Sequence, residues 1–389
     1  MSRRGIALAL LAGLVSLWPL AVAQPADPDL ACDQDPGNRF YWVERAFCDL
    51  PMSGPERAQG IVIWNHGISG TNPSWRAPVP PAFRLLQARG WDVLVIKRHN
   101  LAETMPGGPL ARSVERTLQE VAAQRRLGYR KVVLGGQSFG GYVTLEAIDS
   151  APDIFAAVAF APGMRSSSAA GRFDPTPIEQ ILQRVRVGRL VVVFPKNDTL
   201  LGAIARGERA QPILGRRGFP YLMLDESSEI SGHQGGVTGR FALRYGFCLV
   251  DFLAAAELPP GRFACPPPES GWNVVRELLM PVGTRKPDLA DGSTLPASIA
   301  SLAGLHWALV GDTLVLVAPV TDPRGVRLLY RSTNSRGGVF DATITGRAIQ
   351  ATISAKSTVT LSADAGGTIT LTPSDSAQIS APLRPADAP

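Results

Sequence analysis

The sequence predicts an α/β fold: a mostly parallel sheet flanked by helices, followed by a small C-terminal antiparallel β domain. Three observations carry this. Continuous apolar, β-branched runs such as Ile61-Val62-Ile63-Trp64 and Leu190-Val191-Val192-Val193-Phe194 suit strands covered on both faces. These runs alternate, through short connections, with stretches of helical spacing, as in a parallel sheet with right-handed crossovers. After Ala264 the pattern changes to short Val/Thr/Ile runs separated by turn pairs.

In chain order, Phe40–Leu50 reads as an extended pair of short strands, and Ile61–Trp64 as the first buried strand, ending at Asn65-His66-Gly67. Pro80–Arg89 has helical spacing and stops at Gly90. Asp92–Lys97 is a second buried strand, Leu110–Leu127 an amphipathic helix stopped by Gly128, and Lys131–Leu134 a third strand. Gly140–Ser150 reads as helix, Phe155–Phe160 as strand, Pro177–Val187 as helix, Leu190–Phe194 and Tyr221–Leu224 as strands, and Phe241–Ala256 as a closing helix. Cys265-Pro266-Pro267-Pro268 is a stop, and Trp272–Leu279 one further helix. Beyond Leu302, turns are expected at Gly311-Asp312, Arg324-Gly325, Gly337-Gly338, Thr345-Gly346 and Gly366-Gly367, the spacing of a small barrel or sandwich.

With 389 residues, 45% of them hydrophobic, the chain has material for two or three domains and is neither collagen-like nor wholly disordered. The one long apolar run lies in the first two dozen residues, which excludes a multi-span membrane protein. Ser2-Arg3-Arg4, the apolar stretch from Ile6 to Leu20 and Ala21-Val22-Ala23 have the form of a cleaved export signal over residues 1–23. Periplasmic or secreted placement follows. Cysteine use agrees: Cys32, Cys48, Cys248 and Cys265 are an even set without a CxxC, and local pairing, Cys32 with Cys48 and Cys248 with Cys265, is expected. The formal charge is +6, and residues 287–389 hold seven Lys+Arg against eight Asp, so the excess sits in the larger N-terminal part. Weak contact with an anionic envelope surface fits that balance. No Lys/Arg run is interleaved with aromatics, so nucleic acid is not an expected partner.

In open α/β sheets chemistry is found just after the strands. The third strand runs into Gly136-Gln137-Ser138-Phe139-Gly140, then Gly141 and a helix. This G-x-S-x-G in a strand–turn–helix setting presents a serine hydroxyl on a strained turn, with the helix N-terminus aimed at the reacting oxygen. The alternative is an ordinary glycine-rich turn with a buried capping serine. A serine needs a base: His66 ends the first strand, His99 follows the second and His306 lies in the C-terminal domain, while His233 follows the last strand of the sheet, in Ser231-Gly232-His233-Gln234-Gly235-Gly236. Asp198, after the fifth strand, is the expected orienting carboxylate, and Asp225 and Glu226 are its rivals. Backbone N–H groups of Phe139 and Ile68 are the expected oxyanion donors, with Gly67 the alternative to Ile68. His66 is expected to support the loop structurally. Trp75, Arg98, His99 and Met164 sit near strand ends as cleft candidates without an assigned role.

On these residues the chain resembles the α/β-hydrolase superfamily. Gly135-Gly136-Gln137-Ser138-Phe139-Gly140-Gly141-Tyr142, with Asn65-His66-Gly67-Ile68-Ser69-Gly70 and Gly232-His233-Gln234-Gly235-Gly236, looks most like its dienelactone hydrolase and prolyl-oligopeptidase-like branches. The resemblance covers residues 60–256 and implies an eight-stranded, mostly parallel sheet and ester or amide hydrolysis through an acyl-enzyme. Asp198 is followed by Thr199-Leu200-Leu201, which departs from the peptidase branch. The connection from Gly163 to Gly188 leaves room for a helix or two and no cap domain, so an open cleft is expected.

The expected organisation is a signal peptide over 1–23, a catalytic α/β-hydrolase domain over 24–280, a linker over 281–298, a small β-barrel or sandwich over 299–376 and a disordered tail over 377–389. The expected activity is an exported serine esterase acting on a small-molecule or polymeric ester. A peptidase, amidase or acyltransferase of the same fold, and a non-catalytic polymer- or wall-binding protein, are the alternatives. No metal-ligand spacing and no phosphate loop occur, so neither metal nor cofactor is expected.

Overall fold

The computed structural model describes residues 37–68, 76–99, 109–151, 153–163, 176–200, 206–280, 288–322, 325–374, 381–382 and 384–385. The expected signal peptide, Cys32, Trp75 and Met164 lie outside them. Eight strands form the first sheet: β1 (Tyr41–Arg45), β2 (Gly60–Asn65), β3 (Trp91–Arg98), β4 (Val132–Gln137), β5 (Ala156–Phe160), β6 (Leu190–Val193), β7 (Pro220–Leu224) and β8 (Gly261–Arg262). Their spatial order is β1-β3-β2-β4-β5-β6-β7-β8. β1 is antiparallel to β3, and every other pairing is parallel.

Alternation along each strand divides the side chains between two cores. Val62 and Trp64, Val93 and Val95, Val158 and Phe160 face one side. Ile61 and Ile63, Leu94 and Ile96, Ala157 and Ala159 face the other. Helices α1 (Ala82–Ala88), α6 (Gly239–Ala254) and α7 (Gly271–Leu279) cover the first side through residues such as Phe83, Phe241 and Leu278. On the second side lie α2 (Pro109–Leu127), α3 (Phe139–Ser150), α4 (Thr176–Arg184) and α5 (Arg206–Gly215), through Val121, Leu145, Ile181 and Ile213. Burial on both faces explains why the strand sequences read as unbroken apolar runs.

Three features of this sheet and its helices depart from the sequence reading. Phe40–Leu50 forms one strand, β1, because the chain turns away after Arg45. Helix α5 has no counterpart in the sequence reading: Gly207, Pro212 and Gly215 disguise it, yet it buries Ala210, Ile213 and Leu214. The two-residue β8 is likewise too short to show a period.

The second sheet is wholly antiparallel: β9 (His306–Val310), β10 (Thr313–Asp322), β11 (Gly325–Ser332), β12 (Ser335–Thr345), β13 (Ala348–Ser354), β14 (Ser357–Ala363), β15 (Ile369–Pro373), β16 (Ala381–Pro382) and β17 (Arg384–Pro385). β16 pairs with β15 at one edge and β17 with β9 at the other. A single residue separates them in sequence, so the sheet is curled and its two edges meet at the chain's last strands. The expected disordered tail thus contains paired backbone. Gly337-Gly338 lies inside β12 and makes no turn: the register shifts opposite Tyr330/Ser332, and Gly337 takes φ +64° as the extra residue of a bulge. Part of the expected linker belongs to this domain, since Ala290 and Leu295 are buried in its core and Ala290 N–H donates to Pro319 O at 3.0 Å.

Cys248 on α6 is joined to Cys265, with Cα atoms 5.3 Å apart. Cys48 is disulfide-bonded too, and its expected partner Cys32 lies outside the described residues. No described helix is long and apolar enough to cross a membrane.

Candidate active site

β4 ends at Gln137, and α3 begins at Phe139, so Ser138 is the whole turn between strand and helix. Its backbone takes φ 56°, ψ −123°, a region that non-glycine residues rarely enter. The side chain makes no capping hydrogen bond to the helix, so the capping-serine alternative is not what this turn holds. The neighbouring glycines are steric requirements. A Cβ on Gly136 would lie 2.1 Å from Gly140 O, and one on Gly140 would lie 2.0 Å from Asn65 O. Ser138 N–H donates to Phe160 O at 2.9 Å, and Ser138 O accepts from Tyr142 N–H at 3.0 Å and Gly163 N–H at 3.2 Å. Strand, helix and the β5 loop together hold the strained turn.

Asp198 lies on the loop after β6 and is fully buried. His233 brings Nδ1 within 3.1 Å of Asp198 Oδ1 and 3.0 Å of Oδ2. A ring held through Nδ1–H leaves Nε2 as its acceptor nitrogen. The His233 loop is tied to the elbow by Gln137, whose Nε2 donates to His233 O at 3.2 Å. The rival carboxylates are engaged elsewhere. Asp225 accepts from Ser227 N–H at 3.0 Å and from Arg262 at 3.0 Å, and Glu226 accepts from Gly207 N–H at 3.0 Å.

The loop after β2 lies against the elbow. A Cβ on Gly67 would stand 3.2 Å from Ser138 Cβ and 2.5 Å from Gln137 Oε1, so a side chain there would displace the Gln137 amide. His66 is buried and its ring is committed: Nδ1 is 2.7 Å from Gly67 O, and Nε2 accepts from Arg98 N–H at 2.9 Å. Those partners require Nδ1–H to donate, the neutral tautomer. Burial, with Arg98 beside it, pushes its protonation well below the usual histidine range. Because Gly67 O is held by His66, the next N–H, that of Ile68, points away from the ring across the trans peptide. Arg98, also buried, donates to His66 O and sets its guanidinium 5.1 Å from the centroid of the Phe139 ring. The Ile68 side chain is exposed.

Two residues with clear contacts here were not singled out from sequence. Gln137 is the variable position of the motif. Arg206 begins α5, the helix that the sequence did not reveal, and its Nη2 lies 2.9 Å from Asp198 Oδ2. His306, far along the chain in β9, is bonded to Leu302 O and Ala303 O. Among the described residues no group of three or more His, Cys, Asp or Glu could hold a metal ion.

An antiparallel edge strand, the crossover order β3-β2-β4, and a strained serine between the middle strand and its helix decide the architecture. The fold is that of an α/β-hydrolase. No protein-family model and no curated protein matches the chain. Solved structures do match it. The Pyrococcus furiosus esterase Pf2001 is 13% identical over 58% of this chain and 97% of its own, with a TM-score of 0.40. Est1E from Butyrivibrio proteoclasticus is 14% identical over 55% of this chain and 90% of its own, with a TM-score of 0.38. A Mycobacterium tuberculosis puromycin-hydrolyzing peptidase is 16% identical over 57% of this chain and 39% of its own, with a TM-score of 0.40. Likeness of this size says nothing about a substrate.

Proposed function

We propose that the protein is an exported serine esterase with Ser138 as nucleophile, His233 as general base and acid, and Asp198 as the carboxylate that fixes the histidine tautomer. The observation that carries the reading is the buried Asp198–His233 pair, at 3.0 Å, on a loop bonded to the residue before a strained, uncapped serine. Ser138 Oγ attacks the ester carbonyl while His233 Nε2 takes its proton. The tetrahedral oxyanion is received by the N–H of Phe139, at the positive end of α3, and by that of Ile68. Collapse expels the alcohol, which recovers the proton from His233. Water, activated by the same ring, then clears the acyl group. The residue 1–23 pattern and the disulfides support export to the periplasm or beyond, an oxidising compartment.

The test is turnover of p-nitrophenyl acetate, butyrate and octanoate by wild type and Ser138→Ala, with fluorophosphonate labelling alongside. The wild type should turn over and label, and the variant should lose about a thousandfold or more in kcat/KM. A wild type that neither turns over any ester nor labels would sink the reading and favour a binding role.

A further inference from the structure

Besides His233, Asp198 has a charged partner. Arg206, the first residue of α5, is 4% exposed. Its Nη2 donates to Asp198 Oδ2 at 2.9 Å, the same oxygen that lies 3.0 Å from His233 Nδ1. Its Nη1 donates to Pro162 O at 3.1 Å, on the β5 loop. The guanidinium sits 5.1 Å from the Phe194 ring centroid, at the root of the Asp198 loop.

These bonds close a circuit. Ser138 O accepts from Gly163 N–H, Pro162 O from Arg206, and Asp198 from both Arg206 and His233. His233 O accepts from Gln137, which precedes Ser138. Arg206 is the one cation in this ring, and the link between the β5 loop under the serine and the loop that carries the acid.

We propose that Arg206 is a positioning residue of this site, which clamps the Asp198 carboxylate toward His233. The proposal rests on the esterase reading of Ser138, His233 and Asp198. Two physical consequences follow. The planar fork satisfies Asp198 Oδ2 and Pro162 O at once, which a lysine's single ammonium cannot match in geometry. A cation bonded to the acid also disfavours a second cation, the imidazolium, on its other side.

Other charged groups of the described residues surround this cluster. Lys196 lies on the Asp198 loop. Glu226, after β7, accepts from Gly207 N–H and stabilises the Arg206 charge. Glu208 and Arg209 follow on α5, with Arg209 bound to Glu179 of α4, and Asp225 is bound to Arg262 of β8. All of them are retained when Arg206 alone is replaced, so a difference between variants at that position reads the Arg206 charge.

The experiment compares wild type with Arg206→Lys, Arg206→Gln and Arg206→Met. It records kcat and KM for a p-nitrophenyl ester from pH 5 to 9, and the pH dependence of the His233 ring signals by NMR. With Met or Gln the acid limb should move up by about one pH unit. On the plateau kcat should fall about tenfold or more while KM stays within about twofold. Lysine should keep the limb near wild type and recover part of kcat. Gln keeps donors without charge and serves where Met fails to fold. Superimposable limbs for wild type and the neutral variants, or a lysine variant no better than Met, would overturn the proposal. If no ester is turned over, the esterase reading fails separately. The His233 signals still decide the Arg206 role, because equal titration midpoints in the Gln and Lys variants overturn it.

Discussion

Replacing Ser138 by glycine should make the protein inactive and more stable. At φ 56°, ψ −123° the serine backbone is in a conformation that a Cβ disfavours and glycine enters freely. Such strain is worth about 1–3 kcal/mol, while glycine gives back about 0.4–1 kcal/mol through its freer unfolded chain. The net gain of Ser138→Gly over Ser138→Ala is then about 1–2 kcal/mol. For a domain of this size that is a rise of about 2–8 °C in Tm. Alanine is the proper reference because it removes the hydroxyl and keeps the Cβ. It should itself lie within about 0.5 kcal/mol of wild type, since the hydroxyl caps nothing. Thermal and urea unfolding of both variants, followed by tryptophan fluorescence, reads the difference. A glycine variant no more stable than the alanine variant would refute strain stored at the elbow. The strain persists because the walls cannot yield: Gly136 and Gly140 already bring backbone within about 2 Å of where a Cβ would stand.

Stability should fall as pH drops through the ordinary histidine value of about 6.5. Burial holds both His66 and His306 below it, so below that pH the unfolded chain binds more protons than the native one, and each ring costs up to about 1.4 kcal/mol per pH unit. Tm recorded from pH 7.5 to 5.0 should show the slope, and His306→Gln should flatten it. An unchanged slope in that variant removes His306 from the account. Breaking Cys248–Cys265, which are 17 residues apart, by a double Cys→Ser change should cost about 3 kcal/mol in the chain-entropy account, read as a lower urea midpoint. In Gly239→Ala the new Cβ would meet Leu314 N at 2.7 Å and Asp312 O at 2.9 Å, so the β9–β10 turn must move off α6. A loss of about 1–3 kcal/mol is expected, with lower kcat because α6 directly follows the His233 loop. Full kcat in a destabilised variant would show that the turn and the loop are uncoupled.

The sheet was legible because its strands are buried on both faces. Ile61–Trp64, Val93–Ile96 and Leu190–Phe194 are unbroken apolar runs, and β2, β3 and β6 lie on them within one or two residues. The candidate site residues could be named because chain order and strand ends leave few places for a serine, an acid and a base. Helix α5 was not, since Gly207 and Pro212 contradict local propensity, and only packing of Ile213 and Leu214 against the sheet holds it. Arg206 was hidden with it. A charged residue in a polar run signals a solvated face, and nothing local records that a buried carboxylate awaits it across the fold.

The relation between the two sheets was also beyond the sequence, because it rests on one strand with two apolar faces. In β10, Val315 and Val317 belong to the core of the C-terminal sheet. Leu314 and Leu316, on the opposite face, join the core under α6 and α7, together with Trp307 of β9. A detachable binding module would carry polar residues on that outer face. Here burial of the three side chains against the α/β domain is worth about 1.5–3 kcal/mol each. A hydrogen bond from Gly239 N–H to Asp312 O, at 2.8 Å, fixes the same contact. Deleting residues 288–389 should therefore expose the flanks of α6 and α7 and loosen the helix that follows the His233 loop. The shortened chain should aggregate or lose esterase activity along with its Tm. A monodisperse, fully active catalytic fragment would show instead that the apolar face of β10 serves only its own domain.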